Sequence, residues 1–261
     1  MLEALTLPLP FVTVNRILLL VLVCMVFVPA AHSQTKVRIP SPTIIIPGAN
    51  GNQGAQGISE ASGKSGVQLA RVKYGGGGDW YNDPSGEVNL LRYVRAHTNI
   101  DVIPEYVFVD LASDNLFQYP LIFLTGHGTV VFTDAEAKRL RSYLDHGGFL
   151  YIDDDYGMDQ SIRKELTKVF PEQELVELPF SHPIYHAHFD FNNGLPKIHE
   201  HDNKAPRGFG LFSGKRLCVF YTVETNPSDG WADPEVHNDP PEKREAALQI
   251  GTNIIVYALS K

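Results

Sequence analysis

Residues 121–152 constrain the fold more than any other stretch of the chain. Leu121-Ile122-Phe123-Leu124 is apolar throughout, and so is Phe149-Leu150-Tyr151-Ile152. Alternating apolar and polar residues would describe a sheet with one wet face. Two unbroken apolar runs describe strands buried on both faces, as in a parallel sheet covered by helices. Between the runs, Thr133 and Glu136 have the spacing of a capping box. Ala137, Leu140 and Leu144 share one helical face, and Gly147 stands where a helix would stop. Strand, helix and strand with short connections make a right-handed βαβ unit.

The rest of the pattern extends that unit. Val67 to Tyr74, Tyr106 to Asp110, Glu174 to Leu178 and Leu217 to Tyr221 read as strands. Glu87 to His97, Ser161 to Phe170 and Glu242 to Leu259 read as helices, and residues 181–210 as irregular chain. The alternation predicts an α/β protein: a three-layer α/β/α sandwich with a mainly parallel sheet.

The chain ahead of residue 66 follows other rules. Ile17 to Val28 is a nearly unbroken apolar run with Arg16 before it, and Ala31 and Ser33 sit at the small positions of a cleavage site. This is the layout of a signal peptide over residues 1–33, with a mature start at Gln34; the alternative is an uncleaved anchor. Cys24 lacks the small preceding residue that lipidation requires. Residues 34–65 carry Pro40, Pro42 and Pro47, then Gly48, Gly51, Gly54 and Gly57. Four glycine triplets without proline cannot hold a collagen helix, so this segment reads as a flexible tether and residues 66–261 as the folded domain. The expected location is outside the cytoplasm, periplasmic or secreted, with contact to membrane only through an uncleaved leader.

Charge and cysteine content narrow the function. The net charge of -8, from 22 Lys and Arg against 30 Asp and Glu, argues against a protein held to nucleic acid by phosphate contacts. Loss of the leader removes Glu3 and Arg16, which cancel, and one of the two cysteines. Cys218 is then alone, in an apolar strand-like run where a small buried residue is expected rather than a nucleophile.

Ligands of open parallel sheets bind beyond the carboxyl ends of the strands. Three such ends carry unusual groups: Gly126-His127-Gly128, Asp153-Asp154-Asp155, and the segment after Tyr221 with Glu224, Asp229, Trp231 and His237. A fourth group lies in the long loop, with His182, His186, His188, His199, Glu200, His201 and Asp202. His182 and His186 are the candidate metal ligands, although Pro183 disfavours a helix between them. Each group alone reads equally well as a tight turn, a solvated cap or a surface loop. Three strand ends pointing at one crevice are what a site requires.

The motifs Tyr74-Gly-Gly-Gly-Gly-Asp79-Trp80-Tyr81, Thr125-Gly-His127-Gly128, Gly147-Gly-Phe-Leu-Tyr-Ile-Asp153-Asp154, His182-Pro-Ile-Tyr-His186, Ser228-Asp229-Gly230-Trp231 and Gly251-Thr-Asn253-Ile-Ile occur in order. Together they resemble a bacterial family, the domain of unknown function 4159, from about Gly66 to the C-terminus. The resemblance implies a flavodoxin-like, class I glutamine amidotransferase-like fold. In those enzymes a cysteine nucleophile follows a central strand. The matching turn here carries Asp153 to Asp155 and no cysteine, so glutaminase and cysteine-protease chemistry is not expected. Gly126-His127-Gly128 looks like the turn that builds their oxyanion hole, whose N–H groups would bind an anion or a carbonyl oxygen.

Two functions are consistent with this reading. One is a non-enzymatic module for a small molecule or an exported protein partner, with Gly126, Gly128, Trp80, Tyr81, Asp229 and Trp231 around the ligand. The other is a hydrolase-type enzyme with Asp154 or Asp155 as base or nucleophile and His127 as acid or base. A divalent metal is then the implied cofactor, and carbohydrate a candidate substrate by analogy of fold.

Overall fold

The computed structural model describes residues 66–260. The leader and tether assigned to residues 1–65 lie outside the described residues. Seven strands form one sheet: β1 Leu69–Lys73, β2 Val107–Asp110, β3 Leu121–Leu124, β4 Phe149–Asp153, β5 Val176–Glu177, β6 Arg207–Ser213 and β7 Arg216–Val223, in the order β2-β1-β3-β4-β7-β6-β5. The pairs from β2 through β7 are parallel, and β6 and β5 close the edge antiparallel. The fold is therefore mixed α/β with a mostly parallel sheet, as the apolar runs at Leu121 and Phe149 required.

Alternation along each strand decides which side chain meets which helix. Leu121, Phe123, Phe149 and Tyr151 join one buried cluster with α1 (Gly86–His97) and α6 (Pro241–Leu259). Ile122, Leu124, Leu150 and Ile152 join the other with α2 (Asp134–Asp145) and α3 (Asp159–Val169). Both clusters are apolar, which is why β3 and β4 show no polar alternation. The capping box holds in full: Thr133 Oγ1 accepts from the Glu136 N–H, and the Glu136 carboxylate accepts from the Thr133 N–H. No described helix is long and apolar enough to cross a membrane.

Two departures from expectation concern the second half. Strand β6 begins at Arg207, inside the stretch read as irregular. Its Gly208 and Gly210 dilute the strand pattern, and both are required by close packing: a side chain at Gly208 would meet Tyr185 and Phe220, one at Gly210 Leu217. Two short helices, α4 (Pro227–Trp231) and α5 (Pro234–His237), also fall where no helix was read. Neither is long enough to show a period.

Arg71 sits in the middle of β1 and is 1% exposed. Its guanidinium clasps Glu87 on α1 with Nε–Oε1 2.5 Å and Nη2–Oε2 2.6 Å. Nη1 donates to the Asn82 carbonyl, to Asn82 Oδ1 at 3.1 Å and to the Trp80 carbonyl at 3.3 Å. One buried cation thereby fixes residues 80–87 over the carboxyl end of the sheet.

Candidate metal centre

The carboxyl ends of β1, β3, β4 and β7 are neighbours in the sheet, so the loops leaving them converge. The β1 loop brings Asp79, Asn82 and Asp83. The β3 turn brings His127, the β4 turn Asp155, and the β7 loop Asn226, Asp229 and His237. His199 arrives from the long loop, which the Ile198 N–H pins to the Thr225 carbonyl at 2.8 Å.

Asp229 is the centre of the arrangement. Its Oδ2 lies 2.6 Å from His199 Nδ1 and its Oδ1 3.9 Å from His237 Nε2. His237 Nε2 is also 2.9 Å from Asp83 Oδ2. His199, Asp229 and His237 offer ligand atoms within 4.8 Å of one another, and Asp83, Asp155 and Asp229 do the same. The Asp229 side chain is 2% exposed, and Oδ1 has no hydrogen-bond partner among the described residues. A buried carboxylate oxygen without a donor is costly unless a cation completes it.

Outer groups orient these side chains. His199 Nε2 meets Asp239 Oδ1 at 3.1 Å, the carboxylate–histidine pairing that fixes the ring of a metal ligand. Asp155 takes Asn226 Nδ2 at 3.0 Å on Oδ1 and the Asn82 amide on Oδ2. His127 Nδ1 lies 3.1 Å from Asp79 Oδ2 and 3.3 Å from Asp155 Oδ2, with its side chain half exposed. Burial and the neighbouring Asp229 carboxylate push the Asp155 pKa far above the usual carboxylate range. Burial alone would raise Asp229 as well, but its bond to His199 holds it below its ordinary value.

Asp153 lies directly beneath. Its carboxylate accepts from Thr222 Oγ1 at 2.7 Å, the Ser228 N–H at 3.0 Å and Ser228 Oγ at 2.7 Å. Burial pushes its pKa up to about 7 against these bonds. The contacts tie the first turn of α4, and with it Asp229, to the end of β4. Gly230 lets α4 approach α6, since a side chain there would collide with Ala247. Four of the five non-glycine residues with left-handed backbone among those described, Asp83, Glu224, Asn226 and Asn238, belong to the loops of this centre. Such strain gathers at sites whose geometry the surrounding structure imposes.

Of the residues singled out in the sequence, His127, Asp155, Asp229 and His237 from the strand ends and His199 from the long loop meet here. Asp154 turns away: Oδ1 accepts from the Met158 N–H at 2.9 Å and Oδ2 from Tyr221 Oη at 3.3 Å, so it holds the start of α3. Trp231 is core, 1% exposed, packed on Phe123 and Tyr151 with its indole N–H on the Ala247 carbonyl. Trp80 and Tyr81 pack on each other, and Trp80 also on Phe108 of edge strand β2. Two N–H groups of the Gly126-His127-Gly128 turn are engaged: His127 N–H donates to Asp79 Oδ1 and Gly128 N–H to the Tyr156 carbonyl. Gly126 is needed because a side chain there would strike Tyr74. The two N–H groups expected to serve an anion hole thus have acceptors within the chain.

His182 and His186 lie apart from the centre. His182 accepts from the Ile184 N–H and packs near Tyr257, which in turn lies on Phe149 at the amino end of β4. His186 is held between Asp190 and the Phe180 carbonyl. The side chains that do converge, His199, His237 and Asp83, are far apart in sequence, and no local spacing could have joined them. Cys218 is buried with its thiol pushed up to about 12 by burial, which removes it as a nucleophile. A groove of about 370 Å3 lies on the side to which Asp154 turns, lined by Asp154, Tyr156, Asp202, Lys204 and Glu224 among others, with none of His127, Asp155, His199, Asp229 and His237 in its lining.

The model of one family, the domain of unknown function DUF4159, matches residues 68–259. No curated protein matches the chain.

Proposed function

The chain belongs to the DUF4159 family, and from that premise we propose that it is an exported, metal-dependent enzyme of hydrolase type. The observation that carries the proposal is the Asp229 carboxylate, buried between His199 and His237 with one oxygen unpartnered. His and carboxylate donors of this kind suit zinc or a related divalent ion. Such an ion would polarise a substrate oxygen and make water acidic enough to react near neutral pH. His127 is placed for proton transfer, because its ring is half exposed and rests on Asp79 and Asp155. Substrate would approach along the groove at Tyr156, whose ring stacks on His201 with centroids 4.6 Å apart; His201 touches Asn226, and Asn226 touches Asp155 and Asp229.

The finer fold assignment supports this placement. We read the two apolar clusters, one on each face, as a three-layer sandwich, and the order β2-β1-β3-β4-β7 as flavodoxin-like. The cysteine position of amidotransferases is then taken by the acidic turn after β4. Export follows from the leader alone.

The test is hydrolysis of chromogenic ester, phosphoester and glycoside substrates by the purified protein, before and after chelation. Activity that chelation abolishes, that zinc or manganese restores, and that His127→Ala reduces by two to four orders of magnitude is expected. Activity indifferent to chelation would refute the metal reading. A second reading, a non-enzymatic binding module, is favoured by one observation: Tyr81 and Phe108, 63% and 54% exposed, flank Trp80 on the β2 edge. It predicts that Tyr81→Ala weakens capture of a small molecule or exported partner while leaving metal content unchanged.

A further inference from the structure

Five side chains offer ligand atoms at the centre, and they fall into two overlapping sets. One set holds two nitrogens and an oxygen, from His199, His237 and Asp229. The other is all oxygen, from Asp83, Asp155 and Asp229. Asp229 alone belongs to both. Both of its oxygens have a histidine of the first set beside them, Oδ2 His199 at 2.6 Å and Oδ1 His237 at 3.9 Å, and Oδ1 is buried without a hydrogen-bond partner, which leaves it open to an ion.

Charge points the same way. Asp83, Asp155 and Asp229 place three carboxyls within 4.8 Å of one another, and among the described residues none of them pairs with a lysine or arginine. Arg71, which fixes the same loop, is committed to Glu87. Lys197, at the edge of the site, is committed to Glu224 at 2.9 Å. Among the described residues their partners of basic type are histidines, His127, His199 and His237, and two of these belong to the first set. Bound cations would stabilise buried carboxyls in such numbers as carboxylates.

We propose that the centre holds two divalent cations bridged by the Asp229 carboxylate. The first is a zinc-type ion on His199, His237 and Asp229, its His199 ring oriented by Asp239. The second is a harder ion of the manganese or magnesium type on Asp83, Asp155 and Asp229, with ligand softness setting the preference. This rests on the metal-dependent reading of the site and adds its stoichiometry and chemistry.

The test is metal stoichiometry of the purified protein. The protein is stripped with chelator, loaded with zinc and then manganese, passed through gel filtration, and analysed by elemental mass spectrometry. Two equivalents of divalent metal per chain are expected. Asp83→Asn should keep the zinc and lose the second ion; His199→Ala should lose zinc and keep one equivalent of manganese. One equivalent in the wild-type protein, or both variants losing all metal while still folded, would overturn the two-ion proposal and leave a single-metal site. No metal at all would overturn the underlying reading as well. If a variant fails to fold, the wild-type stoichiometry still decides.

Discussion

Substituting Arg71 by methionine should be among the most damaging single changes in the domain. The side chain is 1% exposed and its partner Glu87 is 0% exposed. Removing the guanidinium leaves a buried carboxylate without its counter-ion, an error that costs about 3–5 kcal/mol. It also strips donors from the Trp80 and Asn82 carbonyls, the fastenings of the loop that carries Asp83. With a urea m-value of about 2 kcal/mol/M, the unfolding midpoint should fall by roughly 2 M. The double variant Arg71→Met with Glu87→Met removes the uncompensated charge but not the orphaned carbonyls. It should therefore recover part of the loss and remain about 1–3 kcal/mol below wild type. Urea denaturation followed by far-ultraviolet circular dichroism measures all three. A single variant within about 1 kcal/mol of wild type, or a double variant no more stable than the single, would refute the assignment of this pair as the anchor. Where Arg71→Met still folds, its zinc affinity should also fall, although Arg71 is no ligand.

Other substitutions separate scaffold from site. Asp154→Ala should cost about 1–2 kcal/mol by releasing the Met158 N–H at the start of α3, with metal content unchanged; calorimetry and elemental analysis check both halves. His182→Ala and His186→Ala should retain full metal content, whereas His199→Ala should lose zinc, read by the same analysis. The thiol of Cys218, pushed up to about 12 and fully buried, should resist iodoacetamide at pH 8 until the domain unfolds; mass spectrometry of the Cys218 peptide in native and denatured protein measures this.

The parts of this fold legible in the sequence are those with a repeating local cause. The runs at Leu121 and Phe149 and the Thr133 capping box each determine their structure within a dozen residues, and each forms as expected. Strand β6 escaped because glycine at 208 and 210 serves tertiary packing at the expense of strand signal. The site was legible only as strand ends. That rule located His127, Asp155, Asp229 and His237, since the ends of parallel strands are brought together whatever the loops do. It could not rank Asp154 against Asp155, because successive residues leaving a strand point to opposite sides. It could not choose among ten histidines either. His182 and His186 have an attractive spacing, but His199 and His237 have the shared partner, and Asp229 reaches both only through the chain's tertiary path.

The most direct test is the position of a bound ion. Crystals of the zinc-loaded protein, measured on both sides of the zinc absorption edge, should show an anomalous peak within about 2.0–2.2 Å of an Asp229 oxygen and of a His199 nitrogen. A peak at His186 and Asp190, or none in protein that carries stoichiometric zinc in solution, would contradict the account.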